Sequence, residues 1–140
     1  MVYVDTSVLV AYLVPETYSA QAEAALRDPA HYPLALSAWT ETELHSALGI
    51  KCRTGQLSET DMQSVLLKYL ELKPRFVRIE VTSGDYPAAT ELLKTWQTGL
   101  RAGDALHLAI AQRTGCLILS LDDRLVKAGV QAGMAARCLR

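Results

Sequence analysis

The sequence predicts a three-layer α/β domain around a central, mostly parallel sheet of four to five short strands. Short apolar runs such as Val2-Tyr3-Val4 and Cys116-Leu117-Ile118-Leu119-Ser120-Leu121 alternate with amphipathic helical stretches. Strands separated by helices pair in parallel through crossover connections. Each of these two runs also ends at an acid, Asp5 after the first and Asp122 after the second. In such folds ligands bind beyond the carboxyl ends of the strands, so the two acids belong to one crevice.

The first strand, Val2 to Val4, leads directly into a helix over 6–13 that Pro15 ends. A second helix over 19–26 has Ser19 as its N-cap and Asp28-Pro29 as its breaker. Leu34-Ala35-Leu36 is a short strand. The clearest helix covers 37–53, where Thr40 and Glu43 have capping-box spacing and Gly55 lies just past the end. Ser58 and Asp61 open the next helix, which runs to Leu72 ahead of Pro74. Residues 76–81 alternate apolar and polar, as a half-exposed strand does. A helix over 85–98 and a loop over 99–103 precede the strongly apolar helix that Asp104 opens and Gly115 closes. The strand over 116–121, a short helix over 124–128 and a strand over 137–139 follow. With no repeat, low-complexity tract or Gly/Ser linker, residues 1–140 read as one domain.

At 140 residues, half of them hydrophobic and 21% charged, the chain suits a folded domain whose core needs no staples. Cys52, Cys116 and Cys138 are odd in number, lack C-x-x-C spacing and sit in apolar settings. That pattern suits reduced, buried thiols and a cytoplasmic location. Asp5 interrupts the first apolar run and no basic segment precedes it, against the pattern of a signal peptide. No apolar stretch approaches the length of a membrane span. Fourteen basic residues against 15 acidic ones give a net charge of −1. Proteins that grip nucleic acid by charge alone carry a basic excess, so a nucleic-acid role here would rest on local patches, bound cations or a partner.

Four acids stand out: Asp5, Glu43, Asp104 and Asp122. Asp5 could simply cap the helix after it, and Asp104 would meet a helix dipole favourably. Asp122 and Asp123 together offer one capping role, so at least one of them is spare. Glu43 is harder to explain locally. Trp39, Ala47 and Ile50 share its helix face, and no basic residue lies one turn away to neutralise it. Glu41 borders the same arc, with His45 one turn on as a possible partner. A core-facing glutamate must be paired, hydrogen-bonded, protonated or bound to metal. Clusters of hard oxygen ligands select Mg2+ or Mn2+ over zinc, and the chemistry they support is phosphodiester hydrolysis.

These residues resemble a known family. Val4-Asp5-Thr6-Ser7-Val8-Leu9, then Glu43-Leu44 with Ala47-Leu48 and Arg53, then Asp104-Ala105-Leu106-His107-Leu108-Ala109, then Ser120 and Asp122 occur in the order found in PIN-domain nucleases. The likeness is to the small VapC-type toxins of type II toxin–antitoxin pairs, and it spans nearly the whole chain. Each motif alone is short; the four in order are specific. The resemblance implies a PIN-like α/β/α sandwich with Asp5, Glu43, Asp104 and Asp122 as an acidic quartet around Mg2+ or Mn2+. It implies endonucleolytic cleavage of RNA, a cognate antitoxin that holds the enzyme inactive, and a homodimer. Ser7 matches a family position that orients the first acid. Ser120 stands where the family often has Thr, preserving the hydroxyl, and Asp123 competes with Asp122 for the fourth place.

His107, between Leu106 and Leu108, reads as a packing or hydrogen-bonding residue rather than a ligand. His31 carries no functional signal. Arg53, Arg101 and Arg124 lie near the ends of motif-bearing elements, within reach of RNA phosphates, although surface arginines are ordinary and Arg124 reads as one. Two other functions compete. A haloacid-dehalogenase-type phosphatase needs a second Asp two residues after the first, and Ser7 occupies that position, so the proton donor is missing. A catalytically inactive PIN-like binding module would be expected to have lost some of the four acids. Within the nucleases, an RNA-processing enzyme outside toxin–antitoxin biology is the remaining alternative.

Overall fold

The computed structural model describes residues 1–140. Five strands and seven helices alternate: β1 (Val2–Val4), α1 (Thr6–Leu13), α2 (Ser19–Arg27), β2 (Leu34–Ser37), α3 (Ala38–Arg53), α4 (Glu59–Leu72), β3 (Val77–Ile79), α5 (Asp85–Leu93), α6 (Ala102–Thr114), β4 (Leu117–Ser120), α7 (Asp123–Gln131) and β5 (Ala136–Cys138). The sheet runs β3-β2-β1-β4-β5 with every pair parallel. The predicted α/β/α sandwich is therefore the observed one, with five strands.

Alternation along the central strands divides the core between the two faces. Tyr3, Ala35 and Ile118 point to one side and pack with α5, α6 and α7. Val2, Val4, Leu34 and Leu119 point to the other, against α1 and α2, while Leu36 meets α3 and α4. β1 lies at the centre of the sheet, where the order reverses between β2 and β4. Its carboxyl end is the crevice at which such sheets bind ligands.

Several local expectations are corrected. Ser19 does not cap α2: it is the first helical residue, Tyr18 is the N-cap, and the Ser19 hydroxyl instead donates to the carbonyl of Ala11. The capping box of α3 joins Ser37 to Thr40, which leaves Glu43 free of any capping role. α4 carries the expected box between Ser58 and Asp61. β3 is shorter than 76–81, because the chain leaves the ladder after Ile79 and turns into α5, where Asp85 in the first turn accepts from the Thr82 amide. The helix over 85–98 stops at Leu93, and a 3-10 turn over Trp96–Thr98 follows. Asp104 sits in the first turn of α6 rather than at its opening, and Gly115 closes that helix at φ +63°, a conformation glycine adopts freely. α7 runs longer than expected, over Asp123–Gln131. Cys116 is buried, but Cys52 and Cys138 are only partly so, and all three are free thiols. No helix is long and apolar enough to cross a membrane.

Candidate active site

Asp5 stands just past β1 and serves α1 as its N-cap. Its Oδ2 accepts from the Ser7 amide at 3.3 Å, from the Ser7 hydroxyl, and from the Ser120 hydroxyl at 2.7 Å. With Oδ2 satisfied three times, Oδ1 is left facing His107 Nε2 at 3.4 Å. Ser7 and Ser120 lie 3.3 Å apart, and Ser7 Oγ also accepts the Leu121 amide. The two serines thus tie the end of β4 to the start of α1 through one carboxylate.

Glu43 does not lie in the middle of a buried arc. On α3 the buried residues are Thr40, Leu44 and Leu48, while Ile50 is exposed, so Glu43 sits at the margin of that face. Its partner comes from another helix. Glu43 Oε2 lies 2.6 Å from His107 Nε2 and accepts from Thr6 Oγ1 at 2.9 Å. Burial pushes the Glu43 carboxyl up, but the His107 hydrogen bond and charge, with the Thr6 hydroxyl, outweigh it and hold the group below the usual range. Glu41 pairs with Lys73 at 2.7 Å, not with His45.

His107 is fully buried on α6. Its other nitrogen, Nδ1, lies 2.8 Å from the Tyr3 hydroxyl, which also reaches Ser37 Oγ at 2.7 Å and Thr40 Oγ1 at 3.1 Å. Burial pushes the imidazole down, yet the Glu43 hydrogen bond and the charges of Asp5, Glu43 and Asp104 raise it overall. Burial is also the main reason the Tyr3 hydroxyl is held above its ordinary range. One nitrogen of the ring serves the carboxylates and the other serves the core, so His107 orients acids as a hydrogen-bonding residue.

Asp104 is the acid with least support. Its Oδ2 accepts from the Arg101 amide at 3.1 Å. Burial raises its carboxyl above the usual range, and the charges of Asp122, Asp5 and Glu43 raise it further, outweighing that hydrogen bond. Asp104 is therefore near enough to the other three acids to feel their charge. Close approach of α6 to α3 depends on Gly103, where a Cβ would stand 2.4 Å from Glu43 Oε1 and 3.3 Å from Trp39 Cζ2. Trp39 Nε1 fixes the same contact by donating to the Gly103 carbonyl at 3.2 Å.

Asp122 caps α7, with Oδ1 accepting from the Arg124 amide at 2.8 Å, and it also lines the cleft beside Thr6, Ser7 and Glu43. Asp123 turns the other way and pairs with Lys127 at 2.5 Å. Of the two, Asp122 is the one that faces the cleft. Arg101 and Arg53 are exposed, and Arg124 Nε lies 3.8 Å from Asp122.

Two residues of this site, Tyr3 and Gly103, are not evident from the motifs, and Thr6 stands in the first motif without a role there. A phenol between two valines on a buried strand is the one local signal for Tyr3. Gly103 gives none, because its role lies in a contact between two helices distant in sequence. His31, silent in sequence, is buried and structural, with Nδ1 at 2.8 Å from the Ala25 carbonyl.

The donor set fits a hard divalent cation. Asp5, Glu43 and His107 each offer a ligand atom within 4.8 Å of the others. His107 Nε2 is engaged by Glu43, which leaves oxygen donors. Asp104 adds a carboxyl that burial raises first and the charges of Asp122, Asp5 and Glu43 raise further.

Residues 2–131 match the model of the PIN domain, and the chain belongs to the PIN-domain family, whose members are generally nucleases. The fold is shared with FitAcB from Neisseria gonorrhoeae, at 21% identity and a TM-score of 0.74 over 99% of this chain and 98% of that one. It is shared with Mycobacterium tuberculosis VapC20, described as a sarcin-ricin loop cleaving toxin, at 18% identity and a TM-score of 0.70 over 92% and 95% of the two chains. It is shared too with VapBC2 from Rickettsia felis, solved with a DNA fragment from its promoter, at 18% identity and a TM-score of 0.65 over 99% and 98%. Among curated protein sequences none matches this chain.

Proposed function

We propose that this chain is a metal-dependent endoribonuclease that acts as the toxin of a type II toxin–antitoxin pair. The observation that supports the reading is the grouping of Asp5 and Glu43 around His107 beyond the carboxyl end of β1, with Asp122 lining the same cleft as Glu43 and Asp104 near enough to feel their charges. Kinship in fold with a toxin that cleaves the sarcin-ricin loop supports RNA as the substrate. Kinship with complexes such as the toxin–antitoxin complex from Klebsiella pneumoniae supports an antitoxin partner. The family resemblance adds a homodimer and a cytoplasmic setting.

Asp5 Oδ1, Glu43, Asp104 and Asp122 would hold Mg2+ or Mn2+, some of them through water. The cation, when bound, lowers the pKa of a water and offsets charge developing on the phosphate. The rest falls to the protein. Ser7 and Ser120 occupy Asp5 Oδ2 and so keep Oδ1 turned to His107 and Glu43. His107 and Thr6 hold Glu43 Oε2, leaving Oε1 beside Gly103. Asp104, with Oδ1 free of hydrogen bonds, can orient the attacking water.

The test is cleavage of RNA by purified protein with Mg2+ or Mn2+, compared with Asp5→Asn and Asp104→Asn. Cleavage that disappears in both variants supports the nuclease; equal cleavage by the variants assigns it to a contaminant or another site. Co-expression with the product of a short neighbouring reading frame tests the toxin role. Absence of a complex, with cleavage intact, would favour an RNA-processing nuclease.

A further inference from the structure

The cleft over the acids does not stop at them. It encloses about 440 Å3 and runs from Glu43 and Asp122 to Tyr18 and Arg140. We propose that this far end is a nucleotide subsite, in which the Tyr18 ring stacks a base flanking the scissile bond and the Arg140 guanidinium holds a neighbouring phosphate. The proposal rests on the nuclease reading and names where its substrate lies.

The geometry at this end suits that occupant. Arg140 Cζ lies over the Tyr18 ring, 5.6 Å from its centroid, so cation and ring form one paired element that a base and its phosphate would engage together. The ring, at the N-cap of α2, is half-buried against the core shared by α1 and α2, which holds it in place. Arg140 is the one basic residue lining the cleft, and it makes no ion pair with a carboxylate. Glu16, the nearest acid of that end, is neutralised by Lys51. Between the two ends, Val10, Ala47 and Leu121 form an apolar stretch. The volume falls in the range of small-ligand sites. Aromatic rings beside a backbone-tracking cation are how single-stranded nucleic acid is held irrespective of sequence. A cationic protein segment would be drawn to the acids but repelled by Arg140, whereas a base with its phosphate satisfies ring and cation together. Such a subsite would also place positive charge locally in a chain whose net charge is −1.

The test uses a short single-stranded RNA carrying a fluorescent adenine analogue whose emission is quenched by stacking. Binding is followed with Mg2+ in the full-length Asp104→Asn protein, so that the probe survives. Quenching on binding, kept in Tyr18→Phe and lost in Tyr18→Ala with about tenfold weaker affinity, is the expected result. Tyr18→Leu keeps apolar packing without an aromatic face, and loss of quenching there reports stacking even if Tyr18→Ala fails to fold. Arg140→Gln is expected to flatten the salt dependence of binding by about one counterion. If these variants bind and quench like their parent while the intact protein cleaves RNA, the subsite is wrong and the nuclease stands. If the intact protein neither binds nor cleaves RNA, both fall. If Tyr18→Leu loses a co-expressed protein partner but keeps RNA affinity, the cleft end is a protein-docking site and the proposal is overturned.

Discussion

The Tyr3 hydroxyl and His107 Nδ1 lie 2.8 Å apart inside the protein, joining the central strand to the helix that carries Asp104. Through His107 Nε2 that contact continues to Glu43, so the core and the acids belong to one hydrogen-bonded chain. Tyr3→Phe would remove the hydroxyl shared by Ser37, Thr40 and His107 while keeping the ring. Its expected cost is roughly 1 to 2 kcal/mol of stability, read from denaturant unfolding. A variant as stable as the parent would mean that the hydroxyl contributes nothing net.

Asp104→Asn is expected to remove cleavage and to stabilise the metal-free protein by roughly 1 kcal/mol. The sign follows from linkage. A carboxyl raised on folding binds its proton more tightly in the native state, so the native protein loses stability as pH climbs through the raised value. Asparagine carries no such penalty and can still accept from the Arg101 amide. The stability gap between variant and parent should therefore open as pH rises above the ordinary aspartate range and close in acid. Thermal melts across pH without metal check it, and a gap that widens in acid would contradict the repulsion.

Gly103→Ala tests the approach of α6 to α3. Its Cβ would meet Glu43 Oε1 at 2.4 Å, and the mobile carboxylate, not the backbone, has to give way. The expected outcome is a folded protein with weakened Mn2+ affinity, measured by calorimetry. Unchanged affinity would show that Glu43 Oε1 is not a ligand.

Asp85 tests stability away from the site. It is buried and accepts from Arg113 Nε at 2.6 Å, Arg113 Nη2 at 3.0 Å and the Thr82 amide at 2.7 Å. Burial raises its carboxyl, but Arg113 and Thr82 outweigh that and hold it below the ordinary range. Its contribution is then present above the unfolded aspartate pKa and lost as pH falls through the lower native value. Asp85→Asn should cost roughly 2 kcal/mol near neutrality and progressively less in acid, by chemical denaturation. A cost constant with pH would assign the effect to packing.

Much of the fold was legible because apolar runs and helical periodicity report burial directly. The strands around Val2 to Val4 and 116–121 and the helices bearing Glu43 and Asp104 stand where the patterns put them. Ends were harder. Ser19 has a capping residue's chemistry, but its hydroxyl found Ala11 across the turn, a contact between two helices that no local pattern records. The helix over 85–98 broke at Leu93 although its composition allowed it to continue. At the site, placement after strands picked out Asp5 and Asp122, and the structure separates Asp122 from Asp123 by the Lys127 pair. Glu43 stands out in the sequence for its unpartnered charge, yet its partner is His107, far away in sequence and invisible to any rule about neighbouring turns.

Asp5 divides its two oxygens between separate tasks. Oδ2 fastens α1 to β4 through Ser7 and Ser120, and Oδ1 faces the buried His107 ring. A family member without catalysis would still need the first oxygen to keep its fold, and would retain the aspartate for that reason. Among relatives, then, an aspartate at this place is poor testimony to a living enzyme. Asp104, held by a single hydrogen bond from the Arg101 amide and raised by burial and by the other acids, has a weaker structural reason to persist and is the better witness.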